Sequence, residues 1–148
     1  MKISTKGTYG LIAIVDLALH SNGDCIPLYS IAERQNISTS YLEQVFAVLR
    51  KAGFVKSIKG PQGGYIIADK LNQITVGNIL KALEGDLSIV TNSNKEPDNR
   101  NTIEECISET VWKEINTSIN EIVSGITLQD LVDEYRQMHI DDANMYYI

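Results

Sequence analysis

The stretch that most constrains this chain is residues 30–65, SIAERQNISTSYLEQVFAVLRKAGFVKSIKGPQGGY. Its second half opens on an amphipathic helix. Leu42, Val45, Phe46 and Leu49 recur at i, i+3, i+4 and i+7, one apolar stripe of an α-helix. Ser40, Glu43, Gln44 and Ala47 fall on the opposite face. Ser38 stands at the N-cap position, where its hydroxyl can accept a backbone N–H of the first turn. Asn36 suits the left-handed residue that closes a preceding helix, and Ile37 would plug the turn between the two. Gly53 ends the helix, with Arg50 and Lys51 in the last turn, where cations complement the dipole.

Beyond Gly53 the pattern changes to that of a short hairpin. Val55 and Ile58 alternate with Lys56 and Lys59, then Gly60, Pro61, Gln62, Gly63 and Gly64 form a turn cluster, and Tyr65-Ile66-Ile67 returns. The glycines do not make a nucleotide loop, because no GK[ST] follows and no helix opens there. A helix, a tight turn, a second helix and a glycine-tipped basic hairpin together predict a winged helix-turn-helix. The helix alone would read equally well as an ordinary amphipathic helix with a solvated polar face. The lysine-bearing hairpin tips the reading toward DNA. The polar face would meet base edges in the major groove, and the hairpin would follow the phosphate backbone.

With these motifs the chain resembles the Rrf-two family of bacterial winged-helix repressors. The resemblance is carried by MKISTKGTYGL, by IAERQNISTSYLEQVFAVLRKAGFVKSIKGPQGGY, by ITVGNILKALEG and by TLQDL. It covers nearly the whole chain and is weakest between residues 88 and 105. It is nearest to the cysteine-metabolism repressors of that family, and is similar also to its iron–sulfur cluster regulators. The implied fold is mainly α with a small β-hairpin wing. Residues 1–86 would be the DNA-binding domain, and 87–148 a loop, dimerisation helix and tail. The implied DNA-facing residues are Ser38, Thr39, Ser40, Tyr41, Glu43 and Gln44 on the recognition helix. Lys56, Lys59 and the tip Gly60, Pro61, Gln62, Gly63 and Gly64 form the wing. Since the family's first helix begins near the DNA backbone, Lys2, Lys6 and Tyr9 join them as phosphate contacts.

Charge first argues against a DNA partner, because the net charge is −6. Its distribution points the other way. Residues 1–70 hold eight Lys/Arg against five Asp/Glu, +3, while residues 71–148 hold five against fourteen, −9. The basic half carries the helix-turn-helix, and a local basic face sets the phosphate interaction. No apolar run is long enough to span a membrane, and the N-terminus turns directly into an amphipathic helix rather than a leader, so a cytoplasmic protein is expected. Two cysteines without a pairing pattern fit a reducing compartment. An enzyme is not expected: there is no nucleophile–base pair, no metal spacing, and His20 and His139 are the only histidines.

Along the rest of the chain, Leu11, Ile14, Val15, Ala18 and Leu19 give the first helix its buried stripe. Thr75 caps a short helix with Val76, Ile79, Leu80 and Leu83 inward and Gly85 at its end. TNSNKEPDNRNT reads as a loop. Ile103, Ile107, Val111, Ile115, Ile119, Ile122 and Ile126 then recur at three- or four-residue steps, a helix of about six turns. Such a stripe needs a partner, and a homodimer through Ile107, Val111, Ile115, Ile119 and Ile122 supplies one. Two reading heads would then address half-sites about 34 Å apart. Thr127 with Asp130 caps the last helix, LQDLVDEY, with Leu128, Leu131, Val132 and Tyr135 inward.

The signal is less constrained. Iron–sulfur members of the family place three cysteines in the loop and the start of the long helix. Here only Cys106 matches, and Glu109 stands where a cluster regulator has a histidine ligand. One thiolate cannot hold a cluster that takes four ligands, so no cofactor is expected. Cys106, beside Ile103 and Ile107, reads as a buried structural thiol. Cys25, in the loop before the helix-turn-helix, is a redox candidate by resemblance, although neighbouring Asp24 does not favour a thiolate. The apolar end, Met145, Tyr146, Tyr147 and Ile148, is either tucked onto the dimer or offered to a partner. The resemblance names that partner as O-acetylserine thiol-lyase, which accepts peptides ending in Ile. The expected function is a homodimeric repressor of sulfur or cysteine metabolism genes, binding a double-stranded DNA operator. Two alternatives remain open. One is a family repressor responding to iron–sulfur status, nitric oxide or redox state. The other is a protein-interaction module without specific DNA binding.

Overall fold

Residues 2–89 and 102–145 are described by a computed structural model. Helix α1 spans Thr5–His20, α2 Leu28–Gln35 and α3 Thr39–Lys51. Strands β1 (Val55–Ile58) and β2 (Gly64–Ile67) form an antiparallel hairpin in which Val55 faces Ile67 and Ile58 faces Gly64. A 3₁₀ turn over Leu71–Gln73 leads to α4 (Val76–Glu84). The expected loop over residues 91–102 falls almost wholly outside the described residues, as do Tyr146, Tyr147 and Ile148 of the tail. The long helix runs as α5 (Thr102–Ile107), a π-helical turn over Ser108–Trp112, and α6 (Lys113–Ser124). Helix α7 covers Leu128–Met145, ten residues beyond the expected LQDLVDEY.

Local chemistry sets most of these boundaries. Ser38 Oγ accepts from the Tyr41 N–H at 3.1 Å, Thr75 Oγ1 from the Asn78 N–H at 3.1 Å, and Thr127 Oγ1 from the Asp130 N–H at 3.1 Å. Asp130 in turn accepts the Thr127 N–H at 2.9 Å, completing a capping box. Asn36 adopts φ 54°, the left-handed conformation that turns the chain from α2 toward α3.

The main core lies where α1, α2, α3 and the last helix converge. Ile14 and Leu17 of α1, Ile31 of α2, Leu42, Phe46 and Leu49 of α3, Ile79 of α4 and Leu128 of α7 have no exposed surface. Each such side chain contributes roughly 2 kcal/mol by leaving water. The last helix therefore belongs to the same core as the first. Its start is pinned to the entrance of α4 by the Leu128 N–H on the Ile74 carbonyl at 2.9 Å and the Val76 N–H on the Ile126 carbonyl at 2.8 Å. Val76, Leu80 and Leu87 build a second cluster, against which Leu11, Val123, Ile126 and Leu131 pack.

Three expectations about burial need correction. Tyr135 does not point inward. It is exposed and lies against His139 at a ring separation of 4.2 Å, because α7 leaves the core after Val132. Leu19 is only half-buried, and Leu17 takes the central place in α1. Cys106 is exposed rather than buried. Among the described residues, the stripe it accompanies is exposed at Ile107, Val111, Ile115 and Ile122, and no residue of the π-helical turn or α6 is buried.

Candidate DNA interface

Helix α3 presents the face expected of a recognition helix. Ser38, Thr39, Ser40, Glu43 and Gln44 are exposed, while Leu42, Val45, Phe46 and Leu49 anchor the other side. Tyr41 is half-buried and meets Tyr9 of α1 edge to face, ring centroids 6.0 Å apart. Tyr9 thus buttresses the start of the recognition helix while keeping an exposed edge. Lys2, just before α1, is exposed, and Lys6, in its first turn, is half-buried.

Helix α2 is fixed to α1 by a buried carboxylate. Asp16 accepts from Arg34 through Nε and Nη2, the shortest contact being 2.7 Å, and from Gln35 Nε2 at 2.7 Å. Burial pushes its carboxyl up, but the hydrogen bonds from Arg34 and Gln35 and the guanidinium charge outweigh burial and hold it below the usual carboxylate range. Sequence periodicity carries no sign of this site, because Asp16 occupies a buried position on an otherwise apolar face.

The wing is held at its base and near its tip. Phe46 of α3 packs on Tyr65 of β2 at 4.9 Å between ring centroids. Ile26, just before α2, pairs with Tyr65 as a third strand position, with N–H to O distances of 2.9 and 2.8 Å in the two directions. That pairing brings the backbones so close that a Cβ at Gly64 would lie 2.4 Å from the Ile26 carbonyl. At the tip, Gly60 has φ 112° and its carbonyl accepts the Gly63 N–H at 2.9 Å. Lys56, Lys59, Pro61 and Gln62 are exposed, and Gly63 and Gly64 half-buried. The Cys25 thiol donates to the Gln62 carbonyl at 3.0 Å, so the redox candidate touches the wing tip directly.

The expected dimer stripe lies open along the long helix. Ile107, Val111, Ile115 and Ile122 are exposed and Ile119 half-buried. Met145, the described end of the tail, is exposed at the end of α7.

The sequence has two cysteines, Cys25 before α2 and Cys106 in α5. Among the described residues no group of three or more His, Cys, Asp or Glu side chains could hold a metal. Glu109 is paired with Lys113 at 3.0 Å one helical turn on. No helix among the described residues is long and apolar enough to cross a membrane.

Residues 3–134 match the family model of Rrf2, an iron-dependent transcriptional regulator. The chain is 36% identical to the transcriptional regulator IscR of Pectobacterium atrosepticum over 142 residues, 96% of this chain and 85% of that protein. Among solved structures it resembles CymR, the global cysteine regulator of B. subtilis, at a TM-score of 0.78 and 38% identity over 90% of this chain and 98% of that one. IscR of T. potens is similar at a TM-score of 0.72 and 43% identity, over 91% and 88%. These relatives are transcriptional regulators, not enzymes. The match over almost the full length, with the winged helix-turn-helix intact, means that this chain belongs to the Rrf2 family of transcriptional regulators.

Proposed function

We propose that this chain is a cytoplasmic, homodimeric repressor that reads a double-stranded DNA operator and governs genes of sulfur or cysteine metabolism. The observation that carries the DNA reading is the exposed polar start of α3 beside a lysine-bearing wing, both anchored to one core. Gln44 is suited to adenine, and Glu43 to accept from cytosine N4. The exposure of Ile107, Val111, Ile115 and Ile122 along the long helix supports a dimer, since an apolar row in water seeks a partner. The likeness to the B. subtilis cysteine regulator over nearly all of that protein supports the sulfur assignment, as does a donor set too poor in cysteine for a cluster.

The signal would reach the repressor through its tail, Met145, Tyr146, Tyr147 and Ile148. Two tyrosines flanked by a methionine and an isoleucine offer a partner apolar side chains to bury. O-acetylserine thiol-lyase is the partner of this chemistry. Docked, it would report ample cysteine and strengthen repression, and O-acetylserine would release it. Calorimetry of the purified enzyme with the full chain and with a chain lacking residues 145–148 tests this. Tail-dependent binding that O-acetylserine relieves is expected. Equal heats with both chains, or none with either, would remove the enzyme from the signalling route.

A second route is favoured by one contact, the Cys25 thiol on the Gln62 carbonyl. Attack of the thiolate on peroxide forms the S–O bond, breaks the O–O bond and expels hydroxide; the resulting sulfenic acid would replace the S–H donor on the Gln62 carbonyl and shift the wing. Peroxide should then weaken DNA binding by the wild type and spare Cys25→Ser. Equal weakening of both would leave the tail as the sensor.

A further inference from the structure

The start of α1 is held by a residue from the far end of another helix. Glu84, the last residue of α4, places Oε1 on the N–H groups of Ser4 at 3.0 Å and Gly7 at 2.9 Å, and accepts a close hydrogen bond from the Ser4 hydroxyl. The local cap is weak by comparison, since Ser4 Oγ lies 3.4 Å from the Gly7 N–H. A carboxylate is misplaced at the C-terminal end of its own helix, where the dipole favours cations, and well placed at the N-terminal end of another. Glu84 therefore stabilises α1 at some expense to α4. The approach needs glycine. A Cβ at Gly7 would overlap the Glu84 carboxylate, and one at Gly10 would lie 2.4 Å from Leu83 Cδ1.

The clamped turn leads straight to the DNA-facing side. Lys2 precedes it, Lys6 lies within it, and Tyr9, one turn on, meets Tyr41 at the start of the recognition helix. The other side of Glu84 leads to the long helix. Beyond Gly85, Asp86 caps Ser88, and the Ile89 N–H donates to Asn116 of α6 at 2.9 Å.

We infer that Glu84 is a positioning residue for DNA binding: its carboxylate fixes the first turn of α1 so that Lys2 and Lys6 meet backbone phosphates. This rests on the proposed role of those lysines as phosphate contacts. Glu84 itself touches no DNA. Its negative charge near the duplex would, taken alone, weaken binding, so the two roles predict opposite signs.

The test uses the full-length dimer and a fluorescent mixed-sequence duplex of about 30 base pairs, three helical turns. Affinity is followed against salt. Glu84→Ala should bind several-fold more weakly on all sequences, with the slope of log K against log salt reduced by about 2 to 4, the share of two lysines in each protomer of the dimer. Glu84→Gln keeps an oxygen at the Oε1 position and should restore most of the slope. In a background of Lys2→Ala and Lys6→Ala, Glu84→Ala should add nothing. Amide exchange should show Gly7 losing protection in Glu84→Ala while the α3 core keeps it. An unchanged slope, tighter binding by Glu84→Ala, or a full additional loss in the lysine-free background would each overturn the inference. If the wild type showed no salt-dependent binding while Lys59→Ala and Lys56→Ala changed nothing, the DNA-binding reading itself would fall. The Gly7 exchange result would then report the clamp alone.

Discussion

Arg34 of α2 donates to the fully buried carboxylate of Asp16 in α1 through both Nε and Nη2, and Gln35 closes the remaining side at 2.7 Å. His20 also approaches, with Nδ1 3.3 Å from Oδ1. The first helix of the helix-turn-helix thus takes its orientation from an ion pair, not from apolar packing alone. Removing one partner of a buried pair costs about 3–5 kcal/mol. Arg34 keeps 35% of its side chain in water and can be partly rehydrated, so Asp16→Asn should cost about 2–3 kcal/mol. The native carboxyl lies below its unfolded value, so its stabilisation is present above the unfolded value and lost as pH falls through the native one. Urea midpoints between neutral pH and about pH 3 should fall more steeply for the wild type than for Asp16→Asn. Parallel acid limbs would show that the pair does not couple folding to pH.

The wing depends on a backbone contact that leaves no room for a side chain. Gly64→Ala would press a methyl group into the Ile26 carbonyl and Pro27 nitrogen, at 2.4 and 2.7 Å, and open the Ile26–Tyr65 pairing. The expected loss is about 2–3 kcal/mol, with weaker DNA binding as the wing swings from α3. Gly23→Ala is the comparison, because φ 90° strains the backbone there while the surroundings are open. It should cost about 1 kcal/mol and leave DNA binding unchanged. Thermal melting and the duplex titration separate the two.

How far the sequence shows this architecture depends on the reach of each interaction. The caps at Ser38, Thr75 and Thr127, the left-handed Asn36 and the apolar stripes of α3 and α4 are set within four residues, and periodicity finds them. The α3 face and the wing lysines follow from the same local rules. Ser4 and Glu84, eighty residues apart, and Asp16 and Arg34, eighteen apart, carry no local pattern, so neither pair is legible in the sequence. Ile26 reads as part of a loop because a single bridge to Tyr65 has no strand periodicity. Cys106 departs from its expected burial for a different reason. An apolar stripe shows that a face seeks cover, and says nothing of whether the same chain provides it.

The stripe on the long helix makes a prediction about assembly. Ile122 is 62% exposed and lies away from the second core cluster, so its replacement leaves the fold of the single chain intact. Ile122→Glu should convert a dimer to a monomer, or raise the dissociation constant by at least about tenfold, as one charge buried in an apolar interface costs well over 1.4 kcal/mol. Sedimentation equilibrium over a concentration series is the check. A dimer of unchanged strength would move the interface to another face.

The two exposed faces of the reading head should fail differently. Gln44 projects from the recognition helix and its amide can pair bidentately with adenine, a contact that discriminates between bases by about 1–3 kcal/mol. Lys59 sits where β1 runs into the turn, exposed, with a charge that any phosphate satisfies. Selection of bound duplexes from a random pool should therefore give Gln44→Ala a consensus degenerate at one position per half-site. Lys59→Ala should return the wild-type consensus with lower affinity throughout and a salt slope smaller by about 2, one contact in each protomer. If both variants weakened all sequences alike, α3 would be bound to the backbone rather than to base edges. The long helix would then have to place the two heads differently on the duplex.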